Sequence, residues 1–502
     1  MSRMRLKLAV LLVALITVAV VPAQAAEQPE PGSLEYVARD LRNMSEAYGR
    51  ITGPGGQLAN PNYLPALIQQ SSLLTASQLL AQAANPTRPA LTAGNVVPGW
   101  NVGNPLRAGW NGTRGRSQRV AFTNRYGALL RGTVYAPLPG ARDPYTGEPL
   151  TGPFPGVVIT PGSVQGSEGM YVWLAQDLAE RGYVVITYDV QGQGTSETFP
   201  HTTDSVFPFC NPFSPPVDGN MNGCPGVPFQ QIANFVVGTE DATDFLLSTP
   251  QHPYPNPGSA GAKVDAANPY AAQLDHSPDP DTATPGRTTR VALIGHSLGA
   301  AAVSKVQGTD VRVQTIVALD KLTGPSDSAF GDISDNANNV PVVPALAVQS
   351  EYGFTVSPYF LSGGSTVLPA PGNPDPMRER RVGFDDWKAA GVDTMLIVPR
   401  ASTHLEYTDI PYVLPASRWG QALTSGYVQA WLDHYLKHRA NDAELLAPSA
   451  RYLEPRGRGV WAPVTLDRPS LLSFSYCSAY AFGSGASAHV NGDVSGVGGC
   501  AG

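Results

Sequence analysis

Five residues, Gly295-His296-Ser297-Leu298-Gly299, carry the clearest capacity for chemistry in this chain. They end the run Arg290-Val291-Ala292-Leu293-Ile294 and open the small-residue stretch Ala300-Ala301-Ala302-Val303. A buried strand must therefore turn sharply into a helix with a serine at the apex, the geometry of a nucleophile elbow. The flanking glycines are required because strand and helix approach too closely for a β-carbon and the apex residue is strained. A serine so placed attacks an acyl carbon only if an imidazole takes its proton, because a hydroxyl is a poor nucleophile at neutral pH. The competing reading of the same pentapeptide is a structural tight turn.

The chain holds eight histidines from which that imidazole can come. His296 lies inside the elbow itself and reads as a packing or supporting residue. His434 and His438 are four apart on a helical stretch and could share a metal ion; with no third ligand in sight, a solvated helix face is preferred. His201, His252, His276 and His489 have no motif around them. Asp275, Asp279 and Asp281 could gather calcium, yet their spacing matches no EF-hand, so a solvated Pro-rich loop is preferred. Gly192-Gln193-Gly194 opens an insertion rather than a βαβ unit and is no dinucleotide fingerprint.

The elements that must position Ser297 alternate from residue 156 onward. Gly156–Thr160 and Tyr183–Tyr188 read as buried strands, with an amphipathic helix from Met170 to Arg181 between them. A Pro- and Phe-rich insertion, about 198–227, precedes a helix over Phe229–Ser248. It carries Phe207, Phe209 and Phe213; with Phe229 these could line an acyl pocket or simply pack a loop. After the elbow come strands near Thr315–Leu319, Ala345–Gln349 and Thr394–Val398, then a helix from about Ser417 to Arg439. This alternation is that of a mostly parallel sheet covered by helices on both faces. Two strands near Val120–Thr123 and Leu129–Ala136 flank a turn at Asn124-Arg125-Tyr126-Gly127. No internal repeat is present.

The N-terminus supplies an address. Arg3, Arg5 and Lys7 precede an uncharged run from Leu8 to Val21, and Ala23-Gln24-Ala25 offers a small-residue cleavage site. This reads as a secretory signal peptide over residues 1–25; the apolar run is short for a membrane anchor. Cleavage leaves 477 of the 502 residues, expected to be soluble and extracellular. Apolar residues make up 42% of the chain and charged ones only 15%, against about 25% in average domains, which suits an exported globular protein. A net charge of −7 gives no basic footprint, so nucleic acid is not an expected partner. The four cysteines form an even set for an oxidising compartment. Sequence proximity favours Cys210 with Cys224 and Cys477 with Cys500 among the three possible connectivities. Residues 26–116 read as a helical extension and connector, 117–440 as the main domain, and 441–502 as a small β appendage with strand-like alternation around Leu471–Tyr476.

Over roughly residues 117–440 the chain resembles the α/β-hydrolase superfamily, and within it the secreted bacterial esterases and lipases. Four segments carry the likeness: Pro161-Gly162-Ser163-Val164, the loop Asp189-Val190-Gln191-Gly192-Gln193-Gly194-Thr195-Ser196, the elbow, and Ser402-Thr403-His404. The resemblance implies Ser297 as nucleophile and His404 as general base, in the family's order of nucleophile, acid, histidine. It places the acid either after the strand at Ala345–Gln349, where Glu351 is the carboxylate in reach and Gly353 stands near the usual aspartate position, or one strand earlier at Asp320. Glu351 is preferred and Asp320 kept as the alternative; either could instead make a structural pair with Lys321. The backbone N–H groups of Leu298 and Ser163 are the implied oxyanion donors. Asp189 is expected to brace its loop.

These expectations add up to a secreted serine hydrolase acting on small-molecule, lipid or polymer carboxylic esters through an acyl-enzyme, with no cofactor or metal. A peptidase or acyltransferase on the same fold is the first alternative, since the triad does not set the acyl acceptor. Residues 26–116 are too short and too helical for the propeller a prolyl-oligopeptidase type needs. A non-catalytic binding protein on the same scaffold is the second.

Overall fold

The computed structural model describes most of residues 33–84, together with 102–163, 166–199, 231–280, 290–327, 339–351, 381–409, 418–440, 442–473, 478–482 and 489–493. The expectations placed on the leader, the four cysteines, Asp281, Gly353 and the Phe207–Phe229 cluster lie outside the described residues.

Helix α1 (Tyr63–Ala84) precedes strands β1 (Gly115–Thr123), β2 (Leu129–Pro137) and β3 (Gly156–Thr160). Helix α2 (Val172–Ala179), β4 (Val184–Tyr188), α3 (Ile232–Leu247), β5 (Val291–His296), α4 (Leu298–Thr309), β6 (Val313–Leu319) and β7 (Ala345–Val348) follow. Then come α5 (Val382–Ala389), β8 (Thr394–Ile397) and α6 (Arg418–Tyr435). The chain closes with α7 (Asp442–Leu446), β9 (Ser449–Gly457), β10 (Val460–Asp467), α8 (Arg468–Leu471), β11 (Ala479–Phe482) and β12 (His489–Asp493).

Ten strands form one sheet in the order β1-β2-β4-β3-β5-β6-β7-β8-β11-β12. The strands from β4 to β8 in that order run parallel, and the hairpins at either edge run antiparallel. Parallel strands buried on both faces need apolar residues at every position, and β3, β4, β5 and β6 are buried throughout. Successive residues serve opposite layers: Val157, Ile159, Ala292 and Ile294 pack under α2 and α6, whereas Val158, Leu293 and Val291 pack under α3, α4 and α5. This is the mostly parallel, doubly covered sheet expected of an α/β-hydrolase fold.

The terminal segments are pinned to that frame. Arg107, from the connector, bonds Asp177 of α2 at 2.7 Å and the Tyr452 hydroxyl of β9 at 2.8 Å, all buried. Beyond residue 440, β9 and β10 make a separate two-stranded sheet, while β11 joins the edge of the main sheet by pairing with β8. Leu471 ends α8 and Leu472 bridges Pro399, while the rest of the strand-like alternation expected around Leu471–Tyr476 lies mostly outside the described residues; the described edge strand begins at Ala479. β11 covers what would otherwise be the bare backbone edge of β8.

Candidate active site

The elbow forms as its residue types require. Ser297 stands between β5 and α4 with φ 56° and ψ −121°, a conformation that costs an L-residue on the order of 1–3 kcal/mol and persists only where its surroundings impose it. The imposing contacts are visible: the Ser297 N–H donates to the Leu319 carbonyl of β6 at 2.9 Å. A β-carbon on Gly295 would collide with the Gly299 carbonyl, and one on Gly299 with the carbonyls of Thr160 and Pro161.

His404 lies in the loop after β8 and donates and accepts toward two other elements. Its Nε2 is 2.9 Å from Ser297 Oγ, and its Nδ1 is 2.6 Å from Asp320 Oδ2. Asp320 ends β6 with φ 42° and is fully buried, its second oxygen accepting the Ser350 N–H at 3.1 Å. The His404 side chain keeps 14% of its surface exposed and Ser297 is half-buried, while Asp320 is closed off from solvent. A carboxylate on Nδ1 holds the proton there and leaves Nε2 free to accept the serine proton.

Of the two carboxylates considered, the structure brings Asp320, the alternative, to His404 Nδ1 and places the preferred Glu351 elsewhere on the histidine loop. Strand order accounts for this placement: β6 lies next to β5, with Leu319 opposite His296, so Asp320 emerges one strand from Ser297. Glu351 emerges two strands away and is spent on the histidine loop. Its Oε2 accepts the Ala401 N–H, its Oε1 accepts from Ser473 Oγ at 3.1 Å, and its own N–H donates to Ser402 Oγ at 2.9 Å. Lys321 pairs with neither carboxylate; its Nζ lies 3.0 Å from Asp327.

Leu298 opens α4, where a first-turn N–H has no intrahelical carbonyl to bond. Ser163 follows β3 as a half-buried loop residue. The loop is held at Gly162, whose N–H donates to the Tyr171 hydroxyl at 3.0 Å and whose carbonyl accepts from Gln193 Nε2 at 3.0 Å. Asp189 braces its loop by accepting the Glu168 N–H and the Thr195 N–H, each at 2.7 Å. Burial pushes the Asp189 carboxyl upward, and burial beside Asp189 pushes Glu168 up to about 7.

The sequence pointed to His296 as a packing or supporting residue but gave no sign of its partner, Tyr171. The Tyr171 hydroxyl is 2.7 Å from His296 Nδ1, and His296 Nε2 is 2.9 Å from the His404 carbonyl. The other histidine and carboxylate candidates among the described residues lie apart from Ser297. His438 lies beyond the end of α6 and contacts Asp279 at 2.9 Å, and Asp275 accepts from Ser277 Oγ at 2.6 Å. Among the described residues no group of three or more His, Cys, Asp or Glu is arranged to hold a metal ion, and no helix is long and apolar enough to cross a membrane.

No protein-family model matches the chain. An uncharacterized protein of Pseudomonas aeruginosa is 30% identical over 148 residues, which cover 28% of this chain; the chain spans 38% of that relative's length. Among solved structures, a ferulic acid esterase from Streptomyces cinnamoneus aligns with a TM-score of 0.34 at 16% identity, covering 64% of this chain and 89% of that one. A hypothetical protein from Pseudomonas aeruginosa aligns with a TM-score of 0.24 at 17% identity, covering 42% of this chain and 46% of its own.

Proposed function

We propose that this chain is a serine hydrolase that cleaves carboxylic esters through an acyl-enzyme. The observation that carries the reading is the continuous array Ser297 Oγ, His404 Nε2, His404 Nδ1, Asp320 Oδ2, with links of 2.9 and 2.6 Å. Ser297 Oγ attacks the ester carbonyl carbon while its proton passes to His404 Nε2. Asp320, buried and negative, stabilises the imidazolium that forms and keeps its orientation. The carbonyl electron pair moves onto oxygen, where the Leu298 and Ser163 N–H groups take the charge. Collapse breaks the carbon–oxygen bond to the alcohol, which leaves with the proton from Nε2. A water molecule, deprotonated by the same nitrogen, then releases the acid and restores Ser297.

Secretion belongs to the same proposal. The basic start, the apolar run Leu8–Val21 and Ala23-Gln24-Ala25 support it, and with it the pairing of Cys210 with Cys224 and Cys477 with Cys500. The test is turnover of short- and long-chain nitrophenyl esters by the exported protein and by Ser297→Ala. Turnover by the wild type, and at least about 10³-fold less by the variant, is expected. Equal rates for the two proteins sink the proposal. Fluorophosphonate labelling at Ser297 without ester turnover moves the reading to amide cleavage or acyl transfer.

A further inference from the structure

The elbow histidine sits in a hydrogen-bonded chain that joins all three parts of the proposed machinery. The His404 carbonyl can only accept, so His296 Nε2, 2.9 Å away, carries a proton. A neutral imidazole has one N–H, so Nδ1 is an acceptor and the Tyr171 hydroxyl at 2.7 Å must donate to it. The Tyr171 oxygen is then free to accept the Gly162 N–H at 3.0 Å. The directions of all three bonds follow from one carbonyl and a neutral His296. Burial, and next to it the facing His404, hold His296 well below the usual imidazole range, while burial raises Tyr171 and keeps its hydroxyl protonated. The His296 and His404 rings lie 4.7 Å apart, so a neutral His296 also spares the catalytic imidazolium a like charge.

On the other side of Gly162 the geometry is equally constrained. The Gly162 carbonyl and the Ser163 N–H belong to one planar peptide unit. Gln193, fully buried, donates to that carbonyl at 3.0 Å and so sets the direction of the Ser163 N–H. A β-carbon at Gly162 would stand 3.0 Å from both His296 Nδ1 and Ser297 Cβ, so the loop is seated directly on the elbow.

Resting on the hydrolase reading, we infer that Tyr171, His296 and Gln193 are positioning residues: they orient the Ser163 N–H toward the oxyanion and tie that loop to the backbone of His404. Oxyanion donors act only when aimed at the developing charge, and small misplacements at a reacting centre are costly in rate. Binding of the ground-state ester does not draw on this alignment.

The experiment has a kinetic and a spectroscopic arm. Tyr171→Phe keeps the ring and removes the hydroxyl, and Gln193→Leu releases the carbonyl. Each is expected to lower kcat by about 10- to 100-fold, with KM unchanged within about 3-fold. Affinity for a boronic-acid transition-state analogue should fall in step with kcat. Side-chain ¹⁵N spectra of the wild type should show His296 as the neutral Nε2–H tautomer with an accepting Nδ1. Tyr171→Phe should shift that Nδ1 signal toward an unbonded acceptor. Wild-type kcat in folded Tyr171→Phe overturns the inference while leaving the hydrolase reading intact. An Nδ1–H tautomer in the wild type overturns it without reference to activity. Loss confined to KM, or loss tracking a lowered Tm with analogue affinity retained, overturns it in favour of a merely structural role. Absence of ester turnover and of Ser297 labelling in the wild type itself would overturn the hydrolase reading, and the inference with it.

Discussion

Replacing Asp320 by asparagine separates the two carboxylates that the sheet brings near the histidine loop. In the native site Oδ1 accepts the Ser350 N–H at 3.1 Å and Oδ2 faces His404 Nδ1 at 2.6 Å. An asparagine that keeps its oxygen on Ser350 must turn its NH₂ toward Nδ1. That nitrogen then becomes an acceptor and the proton moves to Nε2, where it faces Ser297 Oγ and blocks proton transfer. The imidazolium also loses its buried counter-charge. In a serine triad this pair of losses is worth about 10⁴ in kcat, or about 5.4 kcal/mol of barrier. Glu351→Gln alters the side-chain contacts to the Ala401 N–H and Ser473 Oγ and leaves the Asp320–His404 pair in place, so kcat should stay within about 10-fold while stability drops by about 1–3 kcal/mol. Steady-state hydrolysis of a nitrophenyl ester, with urea unfolding of each variant, reads both quantities. A folded Asp320→Asn protein within about 10-fold of wild type, or a folded but inactive Glu351→Gln protein, would refute the assignment.

Two further outcomes follow from buried charge. The Glu168 carboxyl, raised to about 7 in the folded chain, binds more protons folded than unfolded between its ordinary value and about 7. Its contribution is full below that window and is lost as pH rises through it; Glu168→Gln should narrow the drop in Tm between pH 5 and pH 8, and an unchanged drop contradicts the burial argument. Arg107→Ala leaves Asp177 buried without its guanidinium, which should cost about 3–5 kcal/mol in urea unfolding. A loss under about 1 kcal/mol would mean that the connector is not pinned through this pair.

How much was legible in the sequence depended on whether the determining contact was local. The elbow was, because both glycines, the strand and the helix lie within a dozen consecutive residues. The strand–helix alternation was legible for the same reason: a parallel strand buried on both faces writes an apolar run, as in Val184–Ile186 and Val291–Ile294. Which carboxylate stands beside His404 was not, because Asp320 and Glu351 each follow a strand and only the lateral order β5-β6-β7 says which stands nearer Ser297. The roles of Tyr171 and Gln193 were hidden more deeply. A buried tyrosine in a helix-like run and a glutamine between glycines carry no periodic signal, and their partner Gly162 lies 9 and 31 residues away.

The central claim, that Ser297 carries an acyl group through turnover, is tested by stopping the reaction of wild-type protein with nitrophenyl acetate in acid within its first turnovers and weighing the intact chain and its peptides. The account predicts a single added acetyl group, located on the peptide that contains Ser297, absent from Ser297→Ala and discharged on further incubation. An unmodified chain after measured turnover, or an acetyl group lodged on any other residue, would contradict it.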